Sequence, residues 1–152
     1  MRSGAGPFSD IREPTLKPGV FRFDPQYPLW TDGSEKLRWI QLPEGQKIDN
    51  SDPDRWVFPV GTKLWKEFSH NGIHAETRMM EKLKECSGSM GDCWQFRTFK
   101  WRDAQTDADE IVGSDFQKDE GLKTTVPTVA SGGKRNHIIP SHNTCLACHA
   151  RG

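Results

Sequence analysis

The sequence predicts a mainly β domain, an antiparallel sheet with one short helical segment near its C-terminus. Three observations carry this. Short runs with alternating or aromatic residues recur from residue 36 onward, each closed by Gly, Pro, Asn or Asp. Few segments show a helical apolar period. The 152 residues include six Trp and eight Phe, which offset an apolar fraction of only 34% because each buries a large area.

The elements follow in order. Residues 1–26 carry four Pro and three Gly and read as an irregular lead-in, followed by a single domain over 27–152. Lys36 to Leu42 alternates around Trp39 and reads as a strand stopped by Pro43-Glu44-Gly45. Trp56-Val57-Phe58 is a short strand before Pro59 and Gly61. Thr62 to Phe68 alternates, and Trp65 opposite Leu64 implies cover on both faces. Ser69 to Gly72 is a turn. His74 to Leu83 allows a helix by composition, but a strand is favoured because strands precede and follow it, with Glu76, Arg78, Met80 and Lys82 on one face and Thr77, Met79, Glu81 and Leu83 on the other. Trp94 to Trp101 is the clearest strand. Asp103 to Asp109 reads as an acidic turn and Ile111-Val112 as a short strand. Residues 113–133 read as loop apart from Thr124 to Val129, and His137-Ile138-Ile139 as an extended piece ended by Pro140. Ser141 or Asn143 can N-cap a short helix after it.

Charge and hydropathy exclude several classes. The 21 basic and 21 acidic side chains cancel, which gives no support to nucleic acid or an anionic membrane as partner. No apolar run approaches the roughly 20 residues of a membrane-spanning helix. The N-terminal Met1-Arg2-Ser3-Gly4-Ala5-Gly6-Pro7 has no apolar core of a signal peptide.

The four Cys fall in two close pairs. Cys145-Leu146-Ala147-Cys148-His149 is C-x-x-C-H, the attachment sequence of a c-type haem. Two thiols add across the two vinyl groups of one haem, and the adjoining His supplies an imidazole for the iron. The competing readings are a plain dithiol, half of a zinc site completed by the second pair, and a chance match. Cys86 and Cys93 bracket Ser87-Gly88-Ser89-Met90-Gly91-Asp92, a turn-forming string that suits a disulfide; two thiols or zinc ligation are the alternatives. Covalent haem and disulfides both belong outside the bacterial cytoplasm. The expected location is therefore periplasmic or secreted, with an export signal in the natural precursor.

Several blocks also resemble a bacterial extracytoplasmic haem c-binding domain. They are Tyr27-Pro28-Leu29-Trp30-Thr31-Asp32-Gly33, Phe58-Pro59-Val60-Gly61-Thr62-Lys63-Leu64 and Glu76-Thr77-Arg78-Met79. Lys36, Arg38-Trp39-Ile40, Leu42-Pro43, Lys66-Glu67-Phe68, Trp101 to Ala108 and Ile139-Pro140-Ser141 before C-x-x-C-H complete the set. A more distant similarity, through Gly61 to Glu67 and Trp94-Gln95-Phe96, is to cytochrome P460 and cytochrome c′-beta. The resemblance implies one covalent haem c on Cys145 and Cys148 with His149 as iron ligand. The P460 likeness implies an open iron position that binds or oxidises small molecules such as nitric oxide or hydroxylamine.

The sixth ligand separates these roles: a protein side chain makes an electron carrier, an open position a gas binder or catalyst. His70, His74, His137, His142, Met79, Met80 and Met90 are the candidates, with His137 and Met80 named as metal ligands beside His149. Haem carboxylates need cationic partners, for which Arg78, Arg97, Lys66 and Lys82 are candidates and Arg78 is preferred. The expected function is single-electron transfer with a redox partner protein or domain rather than catalysis.

Overall fold

The computed structural model describes residues 5–10, 15–31, 33–88, 90–113, 121–127 and 134–149. Among these the chain is mainly β, in line with the pattern of its residues. A ribbon of β1 (Phe8–Asp10) and β2 (Thr15–Leu16) precedes a six-stranded sheet. That sheet is an antiparallel meander of β3 (Val20–Arg22), β4 (Glu35–Gln41), β5 (Lys63–His70), β6 (Ile73–Lys82), β7 (Trp94–Trp101) and β8 (Ala108–Glu110), each beside its sequence neighbour. A second antiparallel ribbon, β9 (Leu122–Pro127) and β10 (Lys134–Ile139), leads into α1 (His142–His149). Among the described residues no helix is long and apolar enough to cross a membrane.

The sheet buries both faces because its strands alternate two sets of apolar residues. The register places Trp39 opposite Trp65 and Trp65 opposite Met79. With Val20, Phe99, Trp101 and Ala108 they form one core. The next register position, Ile40, Leu64, Met80 and Phe96, points to the other face by the two-residue period of a strand. There Trp94, Phe96 and Cys93 form a second core, against which Leu64, Met80, Cys145 and Leu146 pack. The two-sided cover expected from Trp65 is thus present.

Residues 1–26, read as an irregular lead-in, contain three short strands. Pro and Gly mark where these strands stop and do not prevent them. Phe8 meets Trp39 edge-on with ring centroids 5.2 Å apart, and the Trp65 indole N–H donates to the Ala5 carbonyl at 2.7 Å. The segment is the cover of the tryptophan face. Two further pieces differ from expectation. Trp56-Val57-Phe58 makes one isolated bridge, Val57 to Asp49, and no strand. The strand expected at Ile111-Val112 lies earlier, over Ala108–Glu110. There Ala108 pairs with Trp101, while Asp109 and Glu110 form ion pairs with Arg102 and Arg97. The acidic run turns over residues 103–107 as expected, closed by the Arg102 N–H donating to the Asp107 carbonyl at 3.0 Å, and its last residues join the strand.

Strands β5 and β6 are joined by Asn71-Gly72 alone, both with positive φ (51° and 77°), as a two-residue hairpin turn of the Asn-Gly kind requires. Just beyond the turn the register slips: Phe68 faces Glu76 but Ser69 faces His74, leaving Ala75 extra. This bulge re-aims one side chain. Without it His74 would share the face of Glu76. With it His74 joins the tryptophan face, where Nδ1 lies 3.0 Å from the buried Glu67 carboxylate and the ring stacks on Trp101 at 4.4 Å. Hydrogen bonding to Glu67 raises the His74 pKa above its ordinary 6.5, against the opposing effect of burial.

Cys86 and Cys93 form the expected disulfide, with Cα atoms 5.0 Å apart. It closes the loop between β6 and β7 through the 3-10 turn Met90–Asp92 and engages the second pair of thiols, so a four-cysteine zinc site is ruled out. The loop closes over a sequence separation of 7, for which chain entropy gives about 2.5 kcal/mol. The double variant C86A/C93A should lose about that much in urea unfolding. A second prediction follows from the raised His74 pKa. The pair with Glu67 stabilises the fold fully below pH 6.5 and loses that contribution as pH rises through the folded pKa. The stability gap between wild type and H74Q should therefore narrow from pH 6 toward higher pH when melting temperatures are compared.

Candidate functional site

The motif helix grows out of a strand. β10 ends at Ile139, Pro140 stops pairing, and Ser141 caps α1: its Oγ accepts from the Thr144 N–H at 3.2 Å, and its carbonyl accepts from the Cys145 N–H at 3.1 Å. Of the two caps considered, Ser141 is therefore the one used. Positions 145, 148 and 149 fall within about one helical turn. Cys145 is half-buried and, with Leu146, lies against the core of Cys93, Trp94 and Phe96. The side chains of Cys148 and His149 lie outside the described residues.

Beside the helix is an open cleft of about 650 Å³. His142, Trp94, Phe96 and Leu83 line it, and the disulfide loop closes one side through Gly91 and Cys93. The His142 and Phe96 rings are 6.1 Å apart. The donor set fits a covalently held haem: a thiol facing an apolar cluster, a second thiol position three residues on, an adjoining His, and a cleft within the usual size range for cofactors.

The methionines separate cleanly. Met79 is 2% exposed within the tryptophan face, on the side of the sheet away from α1. Met80 is on the other face and packs against the core of Cys93, Trp94 and Phe96, as Cys145 and Leu146 do. The backbone of Met90 lies in the disulfide loop, its side chain outside the described residues.

His137 is held by other groups. It is buried on β10, with Nε2 3.0 Å from Glu76 Oε1 and Nδ1 3.1 Å from His70 Nε2. Glu76 is fully buried and also accepts from Arg78 Nε at 3.1 Å. Both ring nitrogens of His137 are thus engaged, and the arrangement ties the β9–β10 ribbon to the sheet. His70 belongs to the same cluster, and His74 points to the opposite face. Among the described residues no group of three or more His, Cys, Asp or Glu side chains is placed to hold a metal ion.

The four cations considered for haem carboxylates part in the same way. Lys82 is buried and donates to the Phe58 carbonyl and to Glu85, each at 2.7 Å. Arg97 is paired with Glu110 on the tryptophan side. Arg78 is shared with Glu76. Lys66 stands opposite Arg78 across the strands, half-buried, over the Phe68 ring. Burial and the positive charges of Arg78, Arg38 and Lys36 push its pKa down to about 8. The sequence marked the individual residues; their clustering depends on register.

No family model, curated protein or solved structure matches the chain.

If His137 serves as an anchor, H137L should cost about 1–3 kcal/mol by leaving the buried Glu76 carboxylate with Arg78 alone, read as a lower urea midpoint with unchanged slope. Replacing both partners, as E76L/H137L, should recover part of that loss.

Proposed function

We propose that the protein is a monohaem c-type cytochrome that passes single electrons outside the cytoplasm. The observation that supports it most is the seating of the C-x-x-C-H helix: Cys145 and Leu146 pack on the buried apolar core of Cys93, Trp94 and Phe96. Cys145 and Cys148 would hold the haem through thioether bonds, and His149 would ligate its iron. When bound, the haem supplies one-electron chemistry.

The remaining work belongs to this chain's own residues. That apolar core excludes water from one side of the motif and so favours the less charged state of whatever it holds. Met80 is the candidate sixth ligand, since alternation turns it, and not Met79, toward α1. His137 positions the helix from behind, through β10. A redox partner protein or domain completes the function.

The open cleft supports a second reading, a haem protein with a vacant iron position that binds or oxidises small molecules, as in the P460 and cytochrome c′-beta group. One set of measurements decides between them. After expression with haem-maturation machinery, intact mass and a pyridine haemochrome assay should show one covalent haem, absent from C145A/C148A. No haem addition to the wild type would overturn both readings. The reduced protein should be low-spin and unaffected by carbon monoxide, and M80A should become sensitive to it. A wild-type spectrum that is high-spin and shifts with carbon monoxide would establish the second reading instead.

A further inference from the structure

On the face that carries α1, three basic residues occupy one register row: Arg38 on β4 opposite Lys66 on β5, and Lys66 opposite Arg78 on β6. Like charges directly opposite destabilise a sheet, and on its own strands the row is relieved at Arg78, which pairs with Glu76. The Arg78 guanidinium and the Lys66 ammonium lie over the same Phe68 ring, 4.3 and 4.9 Å from its centroid.

Among the described residues, negative charge near the row is scarce. Among the described residues Glu76 is the carboxylate acting on Lys66, and its Oε1 already accepts from both Arg78 and His137. Lys36, two residues from Arg38, is occupied elsewhere: its ammonium donates to the Leu29 carbonyl and the Thr31 hydroxyl. Burial together with Arg78, Arg38 and Lys36 lowers the Lys66 pKa to about 8, so the ammonium persists at neutral pH in a site that disfavours it. The adjacent row is Ile40, Leu64, Met80 and Phe96. The cations therefore border the apolar surface on which α1 lies.

We infer that Arg38, Lys66 and Arg78 form a seat for carboxylates borne on an apolar body. The Arg38 guanidinium can bind carboxylate oxygens in pairs, Arg78 adds the donors it does not give to Glu76, and the lysine adds a point charge. The occupant is either the haem's own pair of carboxylates, an assignment that rests on the haem reading, or a free di- or tricarboxylate. The chemistry is the same in both.

Citrate is a suitable probe, used with the full chain prepared with and without covalent haem. In the haem-free chain at pH 7, citrate should raise the melting temperature. K66Q should bind it at least about tenfold more weakly, a loss on the scale of one charge-assisted contact, while K66R should retain binding. K63Q is the control: Lys63 lies on the tryptophan side, paired with Glu81 at 3.5 Å, and its removal should change nothing. Without citrate, K66Q should be no less stable than wild type, because it removes a like-charge contact; a merely structural lysine would not behave so. Wild-type binding should weaken from pH 7 to pH 9 as the Lys66 ammonium is lost. No response to citrate, or an equal response in K66Q, would overturn the seat.

The haem-bearing chain separates the two sources. Disappearance of the citrate response on haem attachment supports the seat with the cofactor's carboxylates in it. A response that persists supports the seat with a free anion as its occupant. A wild type that takes no haem removes the haem reading and leaves the citrate result standing by itself.

Discussion

The arrangement of the α1-bearing face depends on one buried charge. Glu76 is 0% exposed in the middle of the sheet, and an isolated carboxylate there would cost several kcal/mol in lost hydration. Arg78 from the same strand and His137 from β10 compensate it, and His70 backs His137. The ribbon must dock for the charge to be tolerated. β10 then runs through Pro140 and Ser141 into α1. The position of the cysteine motif is therefore fixed at one remove by the electrostatics of a glutamate that does not touch it.

The opposite face answers to a different rule. It is held by area, through Trp39, Trp65, Met79, Phe99 and Trp101, with the N-terminal ribbon laid over it. Its buried polar groups form a closed set. Thr77 receives the Trp101 indole N–H at 2.9 Å and donates to Glu67 at 3.4 Å, and Glu67 faces His74. One face thus provides stability without an evident binding surface, while the other gathers cations, a thiol and a cleft. The division follows from the two-residue strand period applied to β5 and β6, whose neighbouring residues differ sharply in chemistry.

Local features were legible in the sequence: the alternation of Trp94 to Trp101, the turn before Ile73, the disulfide string and the cap at Ser141. Each involves residues close in the chain. The features that were not legible are long-range. His137 meets Glu76 and His70 across 61 and 67 residues, so nothing in its flanking Asn136 and Ile138 marks it as an anchor. The bulge at Ala75 is invisible to a count of alternation, and it alone decides which face receives His74. The ribbon near residue 8 was hidden by proline and glycine, because its stability derives from packing on Trp39 rather than from its own composition. For the site, the cysteine motif and the separation of Met80 from Met79 were read directly, whereas which of the two faces carries α1 and the clustering of Lys66 with Arg78 needed the three-dimensional register.

The Asn71-Gly72 turn has a consequence for how the chain can vary over evolution. Hairpin loops are ordinarily the places where insertions accumulate at little cost. Here the two residues before the turn and the four after it supply both histidine clusters, His70 to one face and His74 to the other. An added residue that shifted the strands by one position would send each side chain to the wrong side of the sheet. It would uncouple Glu67 and Glu76 from their partners together. This loop should therefore keep its length among descendants of the sequence even where its neighbours diverge, and its two residues should drift only within the small set that tolerates positive φ.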